Sequence, residues 1–234
     1  MKIDYKKNKR EFVYHLFNGI AGDYDLVNQV ISLGSNKRIK EQVVKNVILE
    51  PESNILDVCT GTGDLAINLA KYLDKNYKIT GIDFSENMLK IAEEKAKLYE
   101  NIKFIQGDAL NLPFDDETFD ACFIGYGLRN LEDLQKGILE MKRVTKKGGY
   151  VVNLDMGKPK GLNNTLFRLY FDNLVPLFGK IFHGNSVPYK YFPDSSKTFP
   201  SQEELVEIFK KSGFSEVKNY NYAFGAIAQQ VAKV

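Results

Sequence analysis

Three aspartates stand at the ends of three successive apolar segments, and a glycine pair follows the first of them. Asp57 closes the first segment, Asp83 the second and Asp108 the third. Gly61 and Gly63 follow Asp57 by four and six residues. A Gly-x-Gly turn lets backbone approach a ligand, and carboxylates accept hydrogen bonds from hydroxyl and amino groups. The spacing therefore predicts a site for a small cofactor.

A dinucleotide is one candidate for this turn. The stretch GTGDLA (61–66) formally matches the G-x-G-x-x-A pattern, and Asp83 follows Gly63 by 20 residues, where such sites hold a ribose. A dinucleotide also carries an anionic pyrophosphate, which Asp57 and Asp64 on either side of the turn would repel. Asp64 has a second interpretation, as the N-cap of the following helix. The pattern alone is weak evidence.

S-adenosylmethionine (SAM) fits the three aspartates better. It has no pyrophosphate, and its sulfonium and ammonium groups favour a nearby anion, which Asp57 supplies. Asp83 can accept from both ribose hydroxyls, and Asp108 can reach the adenine amino group. The residues therefore favour SAM as the cofactor.

Short apolar runs alternate with amphipathic stretches along the chain, and these elements position the aspartates. The predicted strands are 54–58, 78–83, 102–108, 119–126, 148–155, 215–222 and 226–234. The predicted helices are 64–73, 85–99 with Ser85 as its cap, 131–144, and one ending near 211 that begins with the capping box Ser201/Glu204. This alternation predicts an α/β fold with a doubly wound, seven-stranded, mostly parallel sheet. The last two strands have no helix between them, which predicts an antiparallel last strand.

Residues 158–200 interrupt this alternation with an aromatic, Pro- and Gly-rich insertion, which is typical of a lid. We expect one domain, divided into an N-terminal helical cap (1–50), a cofactor-binding core (51–157), the lid insertion (158–200) and a final helix with two strands (201–234). Seven apolar residues of the insertion could line a groove or face the core: Leu166, Phe167, Tyr170, Phe171, Leu174, Leu177 and Phe178.

Composition excludes several classes of protein. The chain has 234 residues, 44% hydrophobic and 26% charged, with a net charge of +2 that gives no electrostatic case for nucleic acid. Cys59 and Cys122 sit in apolar runs, which predicts reduced cysteines in a cytoplasmic protein. With His15 and His183 widely spaced, we expect no metal site. No apolar stretch reaches the roughly 18 residues of a membrane span.

The basic segment MKIDYKKNKREF (1–12) precedes the apolar FVYHLF (12–17). It is either a solvated terminus or a segment that touches anionic lipid, as in a peripheral protein at the inner face of the membrane.

Several stretches carry a family resemblance. Four resemble the successive motifs of class I SAM-dependent methyltransferases: LDVCTGTGDLA (56–66), GIDFSENML (81–89), GDALNLPFDDETFD (107–120) and VTKKGGYVV (144–152). Three more closely resemble the ubiquinone/menaquinone biosynthesis C-methyltransferase family: AGDYDLVNQVISLGSNKRIK (21–40), GYGLRNLEDL (125–134) and YKYFPDSSKTFP (189–200). The resemblance covers about residues 12–230 in the same order.

The resemblance implies cofactor contacts at positions that match the family motifs: Thr62, Asp83, Asp108, Ala109 and Gly125. Asp57, Gly61 and Gly63 complete the site on the physical argument above. Two positions depart from the family pattern, Gln230 near a segment that usually contains His, and Asp155 where Glu is more usual.

The implied reaction moves a methyl group from SAM to a ring carbon of demethylmenaquinol, an isoprenoid quinol, or of a ubiquinol precursor. Three stretches favour the menaquinone relatives, namely CTGTGDL, DFSENML and FGK (178–180). The acceptor must be the reduced quinol, because a phenolate pushes electron density onto the adjacent ring carbon. An unperturbed phenol titrates near pH 10, so the enzyme must favour the phenolate.

Three residues are expected to act on the quinol, two of them in the Gly-Leu-Arg-Asn segment (127–130). Arg129 could stabilise the phenolate, or it could form an ion pair with Glu132 or Asp133. Asn130 could bond the other ring oxygen, and Tyr191 is expected in the same substrate site.

Tyr24 could close over the reacting methyl, or it could pack in the core beside Tyr14 and Phe17. Asp155 and His183 are the candidates for a general base, and His183 could instead make a structural hydrogen bond.

Three other functions remain open from the sequence. They are a SAM-dependent methyltransferase of another phenolic or lipid-like acceptor, a non-catalytic SAM-binding subunit, and the dehydrogenase that the dinucleotide pattern would imply. The oligomeric state is not predicted.

Overall fold

Seven strands form a single sheet at the centre of the molecule. The computed structural model describes residues 8–32, 34, 36–73, 76–176 and 187–234. The strands are β1 (Asn54–Val58), β2 (Lys78–Asp83), β3 (Ile102–Gln106), β4 (Phe119–Gly125), β5 (Thr145–Met156), β6 (Glu216–Tyr222) and β7 (Ile227–Lys233). Their order is β3-β2-β1-β4-β5-β7-β6, and β7 runs antiparallel to both of its neighbours. The predicted antiparallel last strand is confirmed.

Helices precede, connect and follow these strands. They are α1 (Lys9–Ile20), α2 (Tyr24–Ile31), α3 (Asn36–Lys45), α4 (Asp64–Tyr72), α5 (Glu86–Ala96), α6 (Leu134–Val144), α7 (Gly161–Leu169), α8 (Val187–Thr198) and α9 (Gln202–Lys211). Three 3-10 turns cover Ala21–Asp23, Leu128–Asn130 and Ala223–Gly225, and a π-helical segment, Tyr170–Leu174, follows α7 directly. Among the described residues, no helix combines the length and apolar character that crossing a bilayer requires.

Both faces of the sheet are covered by helices. On one face, Val43 of α3 packs in the same buried cluster as Phe123 of β4. On the other, Ile138 of α6 and Phe209 of α9 share a cluster with Ile124. Phe123 and Ile124 are consecutive, and successive side chains of a strand point to opposite faces. The predicted doubly wound sheet is therefore confirmed, and its central strands β1 and β4 are buried on both sides.

A third apolar cluster joins the N-terminal helices to the insertion. It contains Val13 and Phe17 of α1, Phe171 of the π-helical segment and Phe192 of α8, all buried. The cluster therefore packs α1 and the insertion against each other, although they are far apart in sequence. The division of the chain into four segments remains a prediction.

The seven apolar residues of the insertion separate into two groups. Phe167, Tyr170 and Phe171 belong to the third cluster, as expected for a core-facing stripe. Leu166 and Leu174 are exposed. The other two members of the predicted groove, at positions 177 and 178, lie outside the described residues.

Some element boundaries differ from the sequence-based expectation. The helix capped by Ser85 ends at Ala96 rather than near 99, because Tyr99 N turns back to Ala96 O at 2.8 Å. Strand β5 begins at Thr145, which pairs with β4 ahead of a register irregularity. The N-cap of α4 is Gly63, so the interpretation of Asp64 as that cap was wrong. The caps at Ser85 and the Ser201/Glu204 box are confirmed.

Candidate active site

A pocket of about 770 Å³ lies at the carboxyl ends of β1 to β4, partly open to solvent. Its floor, formed by strand ends and the loops after them, contains Cys59, Gly61, Ile82, Asp83, Gly107, Asp108, Ala109, Gly125 and Tyr126. Its roof, formed by the helices α1 and α2, contains Arg10, Val13, Phe17 and Tyr24. One wall comes from the turn after β4, with Gly127, Asn130, Leu131 and Glu132. This edge of an open α/β sheet is where ligands bind.

The predicted site residues divide into two sets with respect to this pocket. Those that line it are Gly61, Asp83, Asp108, Ala109, Gly125, Tyr24 and Asn130. Those that lie close behind the lining are Asp57, Thr62, Gly63, Arg129, Asp155 and Tyr191. His183 lies outside the described residues, and its predicted roles stay predictions.

The two glycines of the turn have different surroundings. Both have positive φ, 56° at Gly61 and 76° at Gly63, a conformation that glycine adopts without strain. A Cβ on Gly61 would lie 3.8 Å from the ring of Tyr24, so this glycine faces the pocket under the roof. A Cβ on Gly63 would lie 3.0 Å from both Ala92 and Phe104. Gly63 therefore allows α4, α5 and β3 to pack closely, whereas Gly61 leaves room for a ligand.

Asp83 is held by backbone donors at the floor of the pocket. Its Oδ2 accepts from Gly61 N at 2.8 Å and its Oδ1 from Ser85 N at 2.9 Å. Burial raises the pKa of Asp83, although these backbone donors oppose the rise. Each carboxylate oxygen retains a lone pair. The geometry thus fits a group that presents two hydroxyls, such as a ribose.

Asp57 lies beneath the glycine turn rather than in the pocket. Its Oδ2 accepts from Thr60 Oγ1 at 2.6 Å and from Ala66 N at 3.1 Å, which ties the turn to the start of α4. Its Oδ1 is buried and has no hydrogen-bond partner among the described residues. Burial raises the pKa of Asp57 to about 7. A carboxylate with a spare, buried oxygen is a position where a nearby cation would be stabilised.

Thr62 belongs to a polar cluster that fastens α2 to the glycine turn. Its hydroxyl donates to Asp25 Oδ1 at 2.6 Å, and Lys95 Nζ lies 2.6 Å from both Asp25 and Asp64. Lys40 bonds the other oxygen of Asp64 at 3.0 Å. Burial alone would raise the pKa of Asp64, but the two lysines lower it to about 2. In this arrangement Thr62 holds the roof in place, and its predicted contact with the cofactor stays a prediction.

Asp108 is joined to the roof by an ion pair that the sequence did not indicate. Its Oδ2 lies 2.8 Å from Arg10 Nη2, and its Oδ1 accepts from Leu110 N at 2.9 Å. Arg10 lines the pocket and is mostly exposed. Its neighbour Lys9 donates from Nζ to the carbonyl oxygens of Arg129 at 2.9 Å and Leu131 at 2.6 Å. The first turn of α1 thereby bridges the floor and the wall.

Arg129 and Asp155 form a buried ion pair behind the wall. Arg129 Nη1 donates to Asp155 Oδ1 at 2.5 Å, and its backbone N donates to Oδ2 at 3.1 Å. Nη1 also bonds Tyr126 O at 2.9 Å. Arg129 therefore does not pair with Asp133, which instead caps α6 by accepting from Lys136 N at 2.9 Å.

The alternative pairing that the sequence suggested for Arg129, with Glu132 or Asp133, was thus wrong. Asp155 is fully buried and its oxygens already accept from Arg129 and from Met156 N. The charges of Arg129 and Asp155 compensate each other, so the pair fixes the turn more than it projects charge into the pocket.

Within the 3-10 turn Leu128–Asn130, Asn130 is the residue that lines the pocket. Its Nδ2 donates to Tyr126 O at 3.0 Å, and its Oδ1 accepts from Tyr191 Oη at 3.0 Å. A second N–H of the Asn130 amide remains to donate. Tyr191, which is buried and packs on Phe12 with ring centroids 5.3 Å apart, links the insertion to the wall.

Tyr24 combines the two interpretations that the sequence left open. It lines the pocket above Gly61, and it packs edge-to-face on Phe17 with ring centroids 5.8 Å apart. Tyr14 packs elsewhere, on Phe84. Burial raises the pKa of Tyr24, so its phenol is neutral at ordinary pH.

Among the pocket residues that sequence reasoning missed, three stand out, Cys59, Tyr126 and Arg10. Cys59 and Tyr126 both have positive φ, 54° and 58°, which is uncommon for residues other than glycine and concentrates at functional sites. Arg10 was grouped with a basic terminus. No sequence signal identifies a left-handed Cys or Tyr, because the conformation is imposed by the surrounding fold.

Comparison with known proteins identifies the chain. The model of the ubiE/COQ5 methyltransferase family matches residues 3–233. The chain belongs to this family. A protein of Desulfitobacterium hafniense named demethylmenaquinone methyltransferase is 45% identical over 227 residues, covering 95% of this chain and 89% of that protein. One of the same name from Staphylococcus saprophyticus is 38% identical, covering 96% of this chain and 97% of its own length.

Solved structures agree with the fold. A SAM-dependent methyltransferase from Thermotoga maritima is 22% identical and superimposes with a TM-score of 0.68 over 94% of this chain and 99% of its own. A phosphoethanolamine N-methyltransferase from Haemonchus contortus in complex with SAM gives a TM-score of 0.59 at 22% identity, over 79% of this chain and 38% of its own. The predicted family is thus confirmed. The chain is a SAM-dependent methyltransferase with the class I fold.

Proposed function

We propose that this chain transfers a methyl group from SAM to a ring carbon of demethylmenaquinol, giving menaquinol. One observation carries the proposal: a single pocket runs from Asp83 and Asp108, which suit the cofactor, to Asn130, which suits a ring oxygen. The names of the relatives support this acceptor. When bound, SAM would supply an electrophilic methyl group on a positively charged sulfur.

The floor would hold and orient the cofactor. Asp83 would accept hydrogen bonds from two ribose hydroxyls, and Asp108 would accept from the adenine amino group, which requires Arg10 to move or to share the carboxylate. The spare oxygen of Asp57 would stabilise positive charge beyond the turn. Gly61 would let backbone approach, with Tyr24 covering the reacting region from above and excluding water.

The wall would position the quinol. The remaining N–H of Asn130 would donate to a ring oxygen, and Tyr191 would hold the Asn130 amide in that orientation. Alignment of the ring carbon about 3–3.5 Å from the methyl group can supply several kcal/mol. The ring carbon, positioned by Asn130, would form its bond to the methyl group as the sulfur–methyl bond breaks, and the ring proton would then leave to solvent, which restores aromaticity.

Arg129 and Asp155 would act by positioning the wall. Because each neutralises the other, a phenolate would gain less from Arg129 than from an unpaired guanidinium. Asp155 is buried and both of its oxygens accept from Arg129, so we assign it to orienting Arg129 rather than to accepting the proton of the quinol.

The site of action would be a membrane surface. A quinol with an isoprenoid tail dissolves in the bilayer, so an enzyme without a membrane-spanning helix in its described part must meet it at the interface. We therefore propose a protein that works on the cytoplasmic face as a peripheral protein.

The test is a turnover assay with methyl-labelled SAM and a short-tailed demethylmenaquinol kept reduced by dithionite. The native protein should transfer label to the ring carbon, and Asn130→Ala should lose at least about 10-fold in kcat/KM, the scale of one hydrogen bond to the acceptor. Asn163→Ala, at an exposed position of α7, is the matched control and should keep full activity. No transfer to any reduced quinol, with SAM still bound, would sink the proposal.

A further inference from the structure

Helix α7 buries none of its nine side chains, in contrast to the helices that cover the sheet. Leu162, Leu166 and Leu169 are 74%, 56% and 63% exposed. A helix this short is marginal in water on its own. Three exposed leucines on it therefore indicate a surface that is completed by something apolar.

The exposed leucines form one line. At 3.6 residues per turn, Leu162, Leu166 and Leu169 fall within roughly 60° of the helix circumference. The π-helical segment then follows, in which residues five apart lie on one side because the bonds run from i to i+5. Leu174, 43% exposed and five residues after Leu169, continues the line. These four residues are called the leucine stripe below.

The opposite side of the same helix is anchored to the body of the protein. Phe167 and Phe171 stack with centroids 5.1 Å apart, and Phe171 is buried in the third cluster. Val13 and Phe17, which line the roof of the pocket, belong to that cluster as well. The leucine stripe therefore faces outward, back to back with the pocket roof.

Charge around the stripe favours an anionic surface. Residues 157–174, which span the stripe, contain Lys158, Lys160 and Arg168 and one acidic residue, Asp172. Lys160 bonds Glu203, and Arg168 lies 3.7 Å from Asp172, so those two cations are partly compensated. The segment still carries its basic residues beside exposed leucines, the combination by which helices lie on anionic bilayers.

We propose that the leucine stripe docks the protein on an anionic bilayer, with the leucines at the boundary between headgroups and acyl chains. The proposal rests on the proposed function for its purpose, since the bilayer holds the isoprenoid quinol. Docking on this side would place the pocket roof next to the lipid from which the substrate comes. It assigns the membrane contact to the insertion, separately from the basic N-terminal segment.

Vesicle binding tests the surface without any substrate. Native protein should co-sediment with vesicles of phosphatidylglycerol and phosphatidylcholine, and much less with pure phosphatidylcholine or at high salt. The triple variant Leu162→Ser, Leu166→Ser, Leu169→Ser should lose at least 10-fold in partitioning. The matched variant Ile48→Ser, Leu98→Ser, Leu139→Ser, at exposed apolar positions outside the stripe, should bind like the native protein. Circular dichroism should show that both variants fold.

A second assay separates docking from chemistry. With a short-tailed, water-soluble quinol the stripe variant should match the native kcat/KM, whereas with long-tailed quinol in vesicles it should fall at least 10-fold. Native protein that fails to bind the anionic vesicles would overturn the proposal. The proposal would also be overturned if the native protein is a dimer, the stripe variant is a monomer, and neither binds vesicles. A second copy of the chain would then cover the stripe. If the protein binds vesicles but turns over no quinol, the docking proposal stands and the proposed function is overturned.

Discussion

The floor and the roof of the pocket are built by different kinds of contact. In the floor, Asp83 bonds Gly61 and Ser85 through their backbone N–H groups, and these follow directly from adjacent strands and the turns after them. In the roof, Lys9 reaches carbonyl groups 120 and 122 positions away in the sequence. The floor is therefore an outcome of sheet topology, whereas the roof depends on docking. The buried pair Arg129–Asp155 lies behind the wall, and Lys9 of the roof contacts the backbone of Arg129.

Breaking the buried pair should have the largest effect. Arg129→Met leaves the Asp155 carboxylate buried without its cation, which should lower the free energy of unfolding by about 3–5 kcal/mol. The double variant Arg129→Met, Asp155→Leu removes both charges and should recover most of that stability. Urea unfolding measures both.

Activity of the double variant then distinguishes positioning from folding. If the pair positions the wall, the stable double variant should still lose about 100-fold in kcat/KM, as displaced reacting groups do. Near-native turnover in that variant would show that the wall needs no ion pair.

The raised pKa of Asp57 predicts that the stability of the folded protein depends on pH. Its pKa is raised from 3.8 to about 7 by burial, so the folded protein retains a proton that the unfolded chain releases. The stabilising contribution is complete below pH 4 and is lost as pH rises to about 7, by up to about 4 kcal/mol. Urea unfolding at several pH values across this range should show that the free energy of unfolding declines in the native protein relative to Asp57→Asn.

Binding of SAM to the same two proteins sharpens this result. If the spare oxygen of Asp57 faces the positive charge of the cofactor, affinity should rise with pH through 7 in the native protein relative to Asp57→Asn, by calorimetry. Parallel pH profiles would confine Asp57 to supporting the turn.

Gly63 tests how closely the floor is packed. Gly63→Ala combines a positive φ with a Cβ 3.0 Å from Ala92 and Phe104, so we expect a loss of about 2 kcal/mol in unfolding free energy. Gly148→Ala is the matched control, because φ there is +80° and a Cβ would meet nothing within 4 Å. Its loss should be about 1 kcal/mol. Equal losses of stability in the two variants would mean that backbone strain alone, and not close packing at Gly63, causes them.

Lys9 tests the roof and should give the smallest effect on stability. Lys9→Met removes two hydrogen bonds to the turn after β4, at a cost of about 1 kcal/mol, the scale of a typical net hydrogen-bond contribution. KM for the quinol should rise while SAM affinity stays the same, since the floor is untouched. Lys90→Met, at an exposed position of α5, is the control. A fall in SAM affinity equal to the rise in KM would contradict the separation of roof from floor.

This difference also explains what the sequence could predict. The strand ends, the glycine turn and Asp83 were predictable because local periodicity and spacing determine them. The pairing of Arg129 was not, since its partner Asp155 lies 26 residues away across the sheet edge. Local charge spacing instead suggested Glu132 or Asp133. Arg10 gave no signal, because its role depends on how α1 docks beside Asp108 in the loop after β3.

The leucines of the insertion show a similar limit. A helical stripe in sequence does not reveal which side meets the core: Leu166 is exposed, whereas its neighbour Phe167 packs on the third cluster. The change from α-helical to π-helical spacing at Tyr170 also shifts the periodicity by a residue, which a fixed 3.6-residue period does not capture.

The antiparallel pairing of β5 with β7 has a consequence for evolution. It joins Met156 to Ile227, so the insertion and α9 lie within one long excursion of the chain. Doubling the length of such a loop costs only about 0.6 kcal/mol in closure entropy. The insertion, whose Tyr191 bonds Asn130 in the pocket wall, can thus be lengthened, shortened or replaced at little cost to the sheet. A fold arranged in this way can acquire new acceptors by changing one excursion while its cofactor site is inherited intact.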